Sequence, residues 1–497
     1  MAPSLLPRTN RLILLSIVIM VLFMSISHNF DAMRRVNAYW DEEAASQMTM
    51  NEGQPTVKEN KKTTVAYAVT VTDFTLSTNK QSDTKLIDRA AVLHHSIKLA
   101  MQQSLHYDYD MYAFVHPDAI EATPLLERLG YRVQVRETPF NVTAIPNFEL
   151  VDGQRIGCCG AKEYLKLYSY LLLDYPVVVH LDLDTTVLRP MDEVFDFMAL
   201  SSHTTTTRRK LSVEQVESFA RKSTMWMHKN KKEFNVSLSH SSETILDTPE
   251  QINFLFTRDY NMVDPPDKHP YQIGVQGGFL VIRPNQRDFD RMVHIIQTGG
   301  DFHDAQWGGD NLGYGGYYGA ATIQGLASYY YDYHENATRS IELNRCHYNT
   351  MVDTPKQFIK EYQKELCTTT EDTCEDCRHT KLEDIYTTHF TVCGKPEQIC
   401  GDGQHPEQLC AQLFQEWHQI RLSLEMEWMQ RFSSSSSFPY VPELKGMDPT
   451  TTESKEEDTQ HRNNRNMGHC DGQRYIPLIL PAAAATSSKN EEMETLI

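Results

Sequence analysis

Residues Val177 to Pro190 read VVVHLDLDTTVLRP, an apolar run suited to a buried strand that ends in two aspartates separated by one leucine. Side chains alternate along a strand, so Asp182 and Asp184 project together if the extended conformation continues through them. Two carboxylates held that close repel, and each raises the other's pKa. A divalent cation removes the conflict, and hard oxygen donors suit Mg²⁺ or Mn²⁺. The competing possibility is a loop carrying two solvated acids with no role.

Such a pair needs rigid support, and the flanking sequence alternates strand and helix signals. Thr64–Thr72 (TVAYAVTVT) is rich in strand formers, and Asp88–Met101 has the apolar spacing of a helix. Met111–His116 reads as a strand, Pro124–Leu129 as a short helix capped by Gly130, and Tyr131–Val135 as a strand. Ala161–Leu173 is helical and Val177–Leu181 is the next strand. This order predicts an α/β fold with a mostly parallel central sheet. In such sheets ligands bind beyond the carboxyl ends of strands, which is where Asp182 and Asp184 fall. Gly274–Pro284 (GVQGGFLVIRP) is a strand whose Gln276-Gly277-Gly278 marks a bulge or a close backbone approach. Pro406–Phe432 has helical periodicity. Residues 197–270 read as an insertion, 28–62 as a polar stem, and 433–497 as a disordered polar tail.

The chain has 497 residues and a formal net charge of −19, with no basic stripe, which argues against nucleic acid as a partner. An anionic substrate remains compatible if a bound cation supplies local positive charge. Leu12–Ile26 is apolar except for two serines, and Arg8 and Arg11 precede it. It is short for a membrane span, which needs about 20 residues. It fits a cleaved signal peptide or an uncleaved signal anchor. The expectation is an anchor over 12–27, a cytoplasmic tail over 1–11, and the remainder in the lumen of the Golgi or another secretory compartment. Sequons at Asn141, Asn235 and Asn336 add weak support. All ten cysteines follow residue 157, and seven lie between Cys346 and Cys410. In an oxidising compartment that cluster predicts disulfides stapling a loop-rich region; the alternative for Cys374-x-x-Cys377 is zinc.

Four segments in order carry a resemblance. Lys166-Leu167-Tyr168 leads into the Asp182-Leu183-Asp184 strand and on through Met191-Asp192-Glu193-Val194-Phe195-Asp196. GVQGGFLVIRP, Trp307-Gly308-Gly309-Asp310-Asn311 and His389-Phe390-Thr391-Val392-Cys393-Gly394-Lys395-Pro396 follow. Over roughly residues 64–432 the chain resembles the glycogenin-like glycosyltransferases of family 8, which are retaining enzymes using nucleotide-sugar donors and Mn²⁺. The resemblance implies a Rossmann-like, GT-A type nucleotide-sugar-binding fold with a single catalytic domain over 63–432.

It also implies roles. Asp182, Asp184 and His389 would hold the cation, and Lys395 would donate to the same phosphates. Lys166 would reach the sugar-phosphate side of the donor, and Asp310 the sugar hydroxyls. Gln276 would lie near the anomeric centre, and Thr72 and Asp73 would meet the base or ribose. Trp307, Gln276-Gly277, Asn311 and Val392 depart from the family pattern, mostly on the sugar side, so the donor sugar stays open. The reaction implied is hexose transfer from a UDP-sugar to a glycan, polysaccharide or glycoprotein hydroxyl with retention. No carboxylate nucleophile stands beside Gln276 in sequence, which favours a front-face path over a covalent intermediate. Two rivals remain. DLDTTV also fits haloacid-dehalogenase-like phosphatases, although their motif sits on the first strand. A non-catalytic carbohydrate-binding relative is the other.

Overall fold

The computed structural model describes residues 62–74, 81–146, 160–200, 252–260, 273–299, 314, 317, 319–334, 339–354, 376–400, 407–432 and 467–481. The expected anchor over 12–27 and stem over 28–62 lie outside these, apart from Lys62. No helix among the described residues is long and apolar enough to cross a membrane.

The centre is a seven-stranded sheet built from β1 (Thr63–Val71), β2 (Tyr107–Val115), β3 (Arg132–Val135), β4 (Val178–Leu181), β6 (Phe254–Arg258), β7 (Val275–Ile282) and β8 (Ser340–Glu342). Their order is β3-β2-β1-β4-β7-β6-β8. β7 pairs antiparallel with both neighbours and every other pairing is parallel, so the fold is mixed α/β with a mostly parallel sheet. A separate antiparallel pair joins β5 (Thr185–Val187) to β9 (Thr387–His389).

Sheet faces and flanking helices follow from side-chain alternation. Val65, Tyr67, Val69 and Val71 enter one core with Ala90, Leu93 and Ile97 of α1 (Gln81–Gln102). Ala66 and Ala68 enter a second core with Tyr164, Leu165 and Leu167 of the 3₁₀ segment Gly160–Leu171. A strand buried on both faces reads as a continuous apolar run, which is why TVAYAVTV was legible. Short α2 (Thr123–Arg128) leads to Gly130, whose φ of +93° closes the turn. α3 (Asp192–Leu200) follows β5; α4 (Gln286–Thr298) and α5 (Ile323–Tyr329) join the second core.

Two boundaries differ from expectation. The 197–270 segment contains β6, whose five residues are all buried inside the sheet. Residues 467–481, placed by sequence in a disordered tail, are folded: Cys470 is bonded to Cys400, and β10 (Cys470–Asp471) pairs with β11 (Arg474–Tyr475). This strap lies on α6 (Gln408–Phe432) and α1 through a buried polar cluster. Arg421 bonds the Ile476 carbonyl and lies 3.5 Å from Asp88, and Tyr475 donates to Asp88 at 2.7 Å. Among the described residues the other disulfides are Cys346–Cys377 and Cys393–Cys410, so Cys377 is not a thiolate ligand and the zinc alternative falls. Cys374 lies outside the described residues.

The strap makes stability acid-sensitive. His469 Nε2 lies 2.8 Å from Glu425 Oε2, and its Nδ1 lies 3.1 Å from Nδ1 of His418. With both rings neutral, the bonds close: His469 Nε2–H donates to Glu425, and His418 Nδ1–H donates to His469. Burial pushes the His469 pKa down to about 4, the Glu425 bond only partly opposing it. An unfolded histidine titrates near 6.5, so the unfolded chain binds the extra proton first. The stabilisation is therefore complete above about pH 6.5 and is lost as pH falls toward 4. Nearby Asp88, raised to about 6 by burial, has the opposite slope. A His469→Gln variant is expected to lose up to about 3 kcal/mol of the wild-type acid-side slope, read from denaturant titrations at pH 7 and pH 4.5. Parallel slopes in the two proteins would show that His469 is not the sensitive group.

Candidate metal and donor site

β4 ends at Leu181, and the chain turns through 182–184 before β5, with Thr185 N–H donating to the Asp182 carbonyl at 3.1 Å. The acids therefore do not converge by strand alternation, as the sequence argument supposed. They converge because the turn folds them toward a third residue. β5 and β9 pair in register with Thr185 opposite His389, which sets the imidazole against the turn. One donor atom each from Asp182, Asp184 and His389 lie within 4.8 Å of one another. His389 Nε2 stands 3.2 Å from Asp184 and 3.9 Å from Asp182.

Two lysines flank the acids. Lys166, from the 3₁₀ segment, is buried and donates to Asp182 Oδ1 at 2.8 Å and to the Gly277 carbonyl at 3.1 Å; Glu163 lies 3.3 Å away. Lys395 donates to Asp184. Sequence reasoning expected each acid to raise the other's pKa. Burial does push Asp184 up, but His389 and Lys395 outweigh it and hold the carboxyl well below the usual range. Burial pushes His389 down, yet Asp184 and Asp182 leave it raised. Lys166 is likewise raised: Asp182 and Glu163 overcome its burial.

The site fits a hard or borderline dication. Its donors are two carboxylates and an imidazole whose Nε2 faces both acids. Gly278 of β7 faces the cluster across the β4–β7 ladder, with Asp182 N–H donating to its carbonyl at 3.0 Å. A Cβ there would lie 2.4 Å from His389 Cε1 and 2.8 Å from Asp182 Oδ2, so the missing side chain leaves the cradle open.

The remaining sequence-expected residues divide. Gln276 is buried near the cluster, but its amide oxygen is engaged by the Gly278 N–H at 2.7 Å and by Asn349 Nδ2 at 3.0 Å. It braces the strand. Thr72 and Asp73 lie just beyond β1, at the same carboxyl edge as Asp182, with Asp73 exposed. Asp310, with its Trp307–Asn311 segment, lies outside the described residues. Sequence reasoning missed Glu163, Asn349 and Gln324. Asn349 adopts φ of +61° and bridges Gln276 and Thr257, while Gln324 accepts the Gly277 N–H at 2.9 Å. Only the Gly277-Gly278 pair signalled a close approach.

No family model matches the chain, and no curated protein matches it in sequence. Solved structures give similarity at low identity. Mouse xyloside xylosyltransferase 1 is 11% identical, covering 66% of this chain and 97% of that one, with a TM-score of 0.34. The galactosyltransferase LgtC, solved with donor and acceptor sugar analogs, is 10% identical over 71% of this chain and 94% of that one, TM-score 0.34. The glycosyltransferase GlyE of Streptococcus pneumoniae is 11% identical over 78% of this chain and 68% of that one, TM-score 0.33.

Proposed function

We propose that the protein is a retaining glycosyltransferase that moves a hexose from a UDP-sugar to a hydroxyl of a glycan, polysaccharide or protein, with Mn²⁺ or Mg²⁺ as cofactor. The observation that carries this reading is the convergence of Asp182, Asp184 and His389 at the carboxyl edge of the sheet, flanked by Lys166 and Lys395. The ordered motif resemblance to family 8 agrees with it.

Asp182, Asp184 and His389 would hold the cation. A cation held there supplies charge stabilisation to the leaving diphosphate. Lys395, now bonded to Asp184, is placed to exchange that contact for a phosphate oxygen. Lys166 is kept protonated and fixed beside Asp182, a second positive charge that needs no reorganisation. The described groups bonded to the Gln276 amide are Asn349 and Gly278, neither of them a carboxylate, in keeping with a front-face path. A trapped glycosyl–enzyme adduct would refute that path. The disulfides support a luminal setting, reached through the N-terminal segment as a Golgi or other secretory-pathway membrane anchor.

The phosphatase reading fares worse: the motif follows the fourth strand, not the first. The test is hydrolysis and transfer across a panel of UDP- and GDP-sugars with Mn²⁺. Metal-dependent turnover of one donor is the expected result. Phosphate release from phosphomonoesters without donor turnover would restore the phosphatase. Tight Mn²⁺–UDP binding without turnover, even with acceptor sugars supplied, would favour the carbohydrate-binding relative.

A further inference from the structure

The sheet ladder is broken where it passes the acids. On the β6 side of β7, Phe256 pairs with Leu280 and Arg258 with Val275, so Thr257 alone stands opposite Gln276 to Phe279. A bulge of this kind frees backbone groups that must find other partners. Those of the two glycines are traceable. Gly278 N–H goes to the Gln276 side chain and its carbonyl to Asp182 N–H. The Gly277 carbonyl takes Lys166 Nζ at 3.1 Å. The Gly277 N–H goes outside the sheet, to Gln324 Oε1 on α5, at 2.9 Å.

Gln324 is clasped for this task. A Cβ on Gly277 would lie 2.9 Å from Gln324 Cγ, and a Cβ on Gly319 2.7 Å from its Nε2, so glycines on two sides make room for the amide. The helix that carries it is pinned to the same strand: Ser328 Oγ accepts Val275 N–H at 2.8 Å and donates to the Gln324 carbonyl at 2.6 Å. Three bonds then run in series, from Gln324 to Gly277, from Gly277 to Lys166, and from Lys166 to Asp182 at 2.8 Å.

We propose that Gln324 is a positioning residue for the donor site. It fixes the bulged Gly277, whose carbonyl steers Lys166 onto Asp182 Oδ1 and so leaves Oδ2, the oxygen facing His389 at 3.9 Å, available as a ligand. This inference rests on the transferase reading above. Without the Gln324 oxygen, the Gly277 N–H is orphaned and the bulge re-forms. Lys166, keeping Asp182 and Glu163 as its anchors but losing the Gly277 carbonyl, is then free to swing across to Asp182 Oδ2 and competes with the cation.

The test uses the full chain, with Mn²⁺ and UDP as probes by calorimetry and donor kinetics where a donor is known. Gln324→Leu is expected to weaken Mn²⁺–UDP binding about tenfold, and to raise the donor KM more than it lowers kcat. Gln324→Glu, whose carboxylate can still accept the Gly277 N–H, is expected to restore affinity. Gly277→Ala, which displaces Gln324 from the opposite side, should reproduce the loss if Gln324→Leu folds poorly. Wild-type protein that binds no Mn²⁺–UDP would sink the transferase reading, and this proposal with it. Wild-type binding with unchanged affinity in Gln324→Leu would overturn the proposal alone. Equal losses in the Leu and Glu variants that track thermal stability, with no split between KM and kcat, would make Gln324 merely structural and also overturn it.

Discussion

Asp184→Asn is expected to abolish metal-dependent donor turnover, by about a thousandfold or more, equivalent to about 4 kcal/mol of transition-state stabilisation. The substitution keeps volume and removes only the charge. That charge is the one His389 and Lys395 both address, at 3.2 Å for the imidazole. The amide oxygen of asparagine is a poorer partner for a dication, and its N–H₂ would face Lys395 or His389. The folded protein should also suffer, because Lys395 loses its ion-pair partner and His389 loses the carboxylate it faces. Removing one partner of a buried pair costs about 3–5 kcal/mol, and the figure falls toward the lower end where solvent reaches Lys395. Sign and window follow from the depressed Asp184 pKa. Its contribution to stability is present above about pH 4, the unfolded carboxyl value, and is lost only as pH falls well below that. The gap between wild type and variant should therefore persist from pH 8 down to pH 5. Steady-state donor turnover, Mn²⁺ calorimetry and thermal melts over that range check all three statements. Manganese-dependent turnover within tenfold of wild type would place the catalytic cation elsewhere.

How far the site could be read in advance depended on how long its supports are. β1, α1, β2, α2, β3 and β4 were legible because each carries its own period of apolar residues, and Gly130 supplied a cap. β5 and β9 have three residues each, too few for any pattern, yet their register is what delivers His389 to the acids. His389 entered the expected site only through motif order. β6 was lost inside a polar stretch because FLFTR is five residues, too short to set a period of its own. The folded strap at 467–481 had two clues, Cys470 and the apolar Ile476–Leu480, which composition could not weigh against their disordered-looking neighbours. Gln276 shows what motif order leaves out. Motif order suggested a place near the anomeric centre; in the structure Gln276 is buried beside Gly278 with its oxygen committed to Gly278 and Asn349. Side-chain hydrogen bonds that replace a broken ladder have no sequence signature, which is also why Gln324 and Asn349 went unseen.

Gly278→Ala is expected to reduce Mn²⁺ affinity by about a hundredfold while leaving the fold intact, the upper range for changes that disturb ligand orientation. The added methyl would stand 2.4 Å from His389 Cε1 and 2.8 Å from Asp182 Oδ2, so one of them must move. His389 has little freedom, since it is buried, paired with Thr185 across β5–β9, and backed by the sheet. Asp182 is a third exposed and can swing outward, where Lys166 follows it as an ion-pair partner. The methyl thus separates ligands that must converge. Overpacking should cost about 1–3 kcal/mol of stability, small beside the effect on binding. Gly277→Ala provides the scale: one residue earlier, its Cβ meets Gln324 Cγ at 2.9 Å and no ligand atom, so its loss should stop near tenfold. Calorimetric Mn²⁺ titrations of the two alanine variants against wild type measure that gradient. A Gly278→Ala protein that binds Mn²⁺ as tightly as Gly277→Ala would mean that Asp182 and His389 do not share a cation.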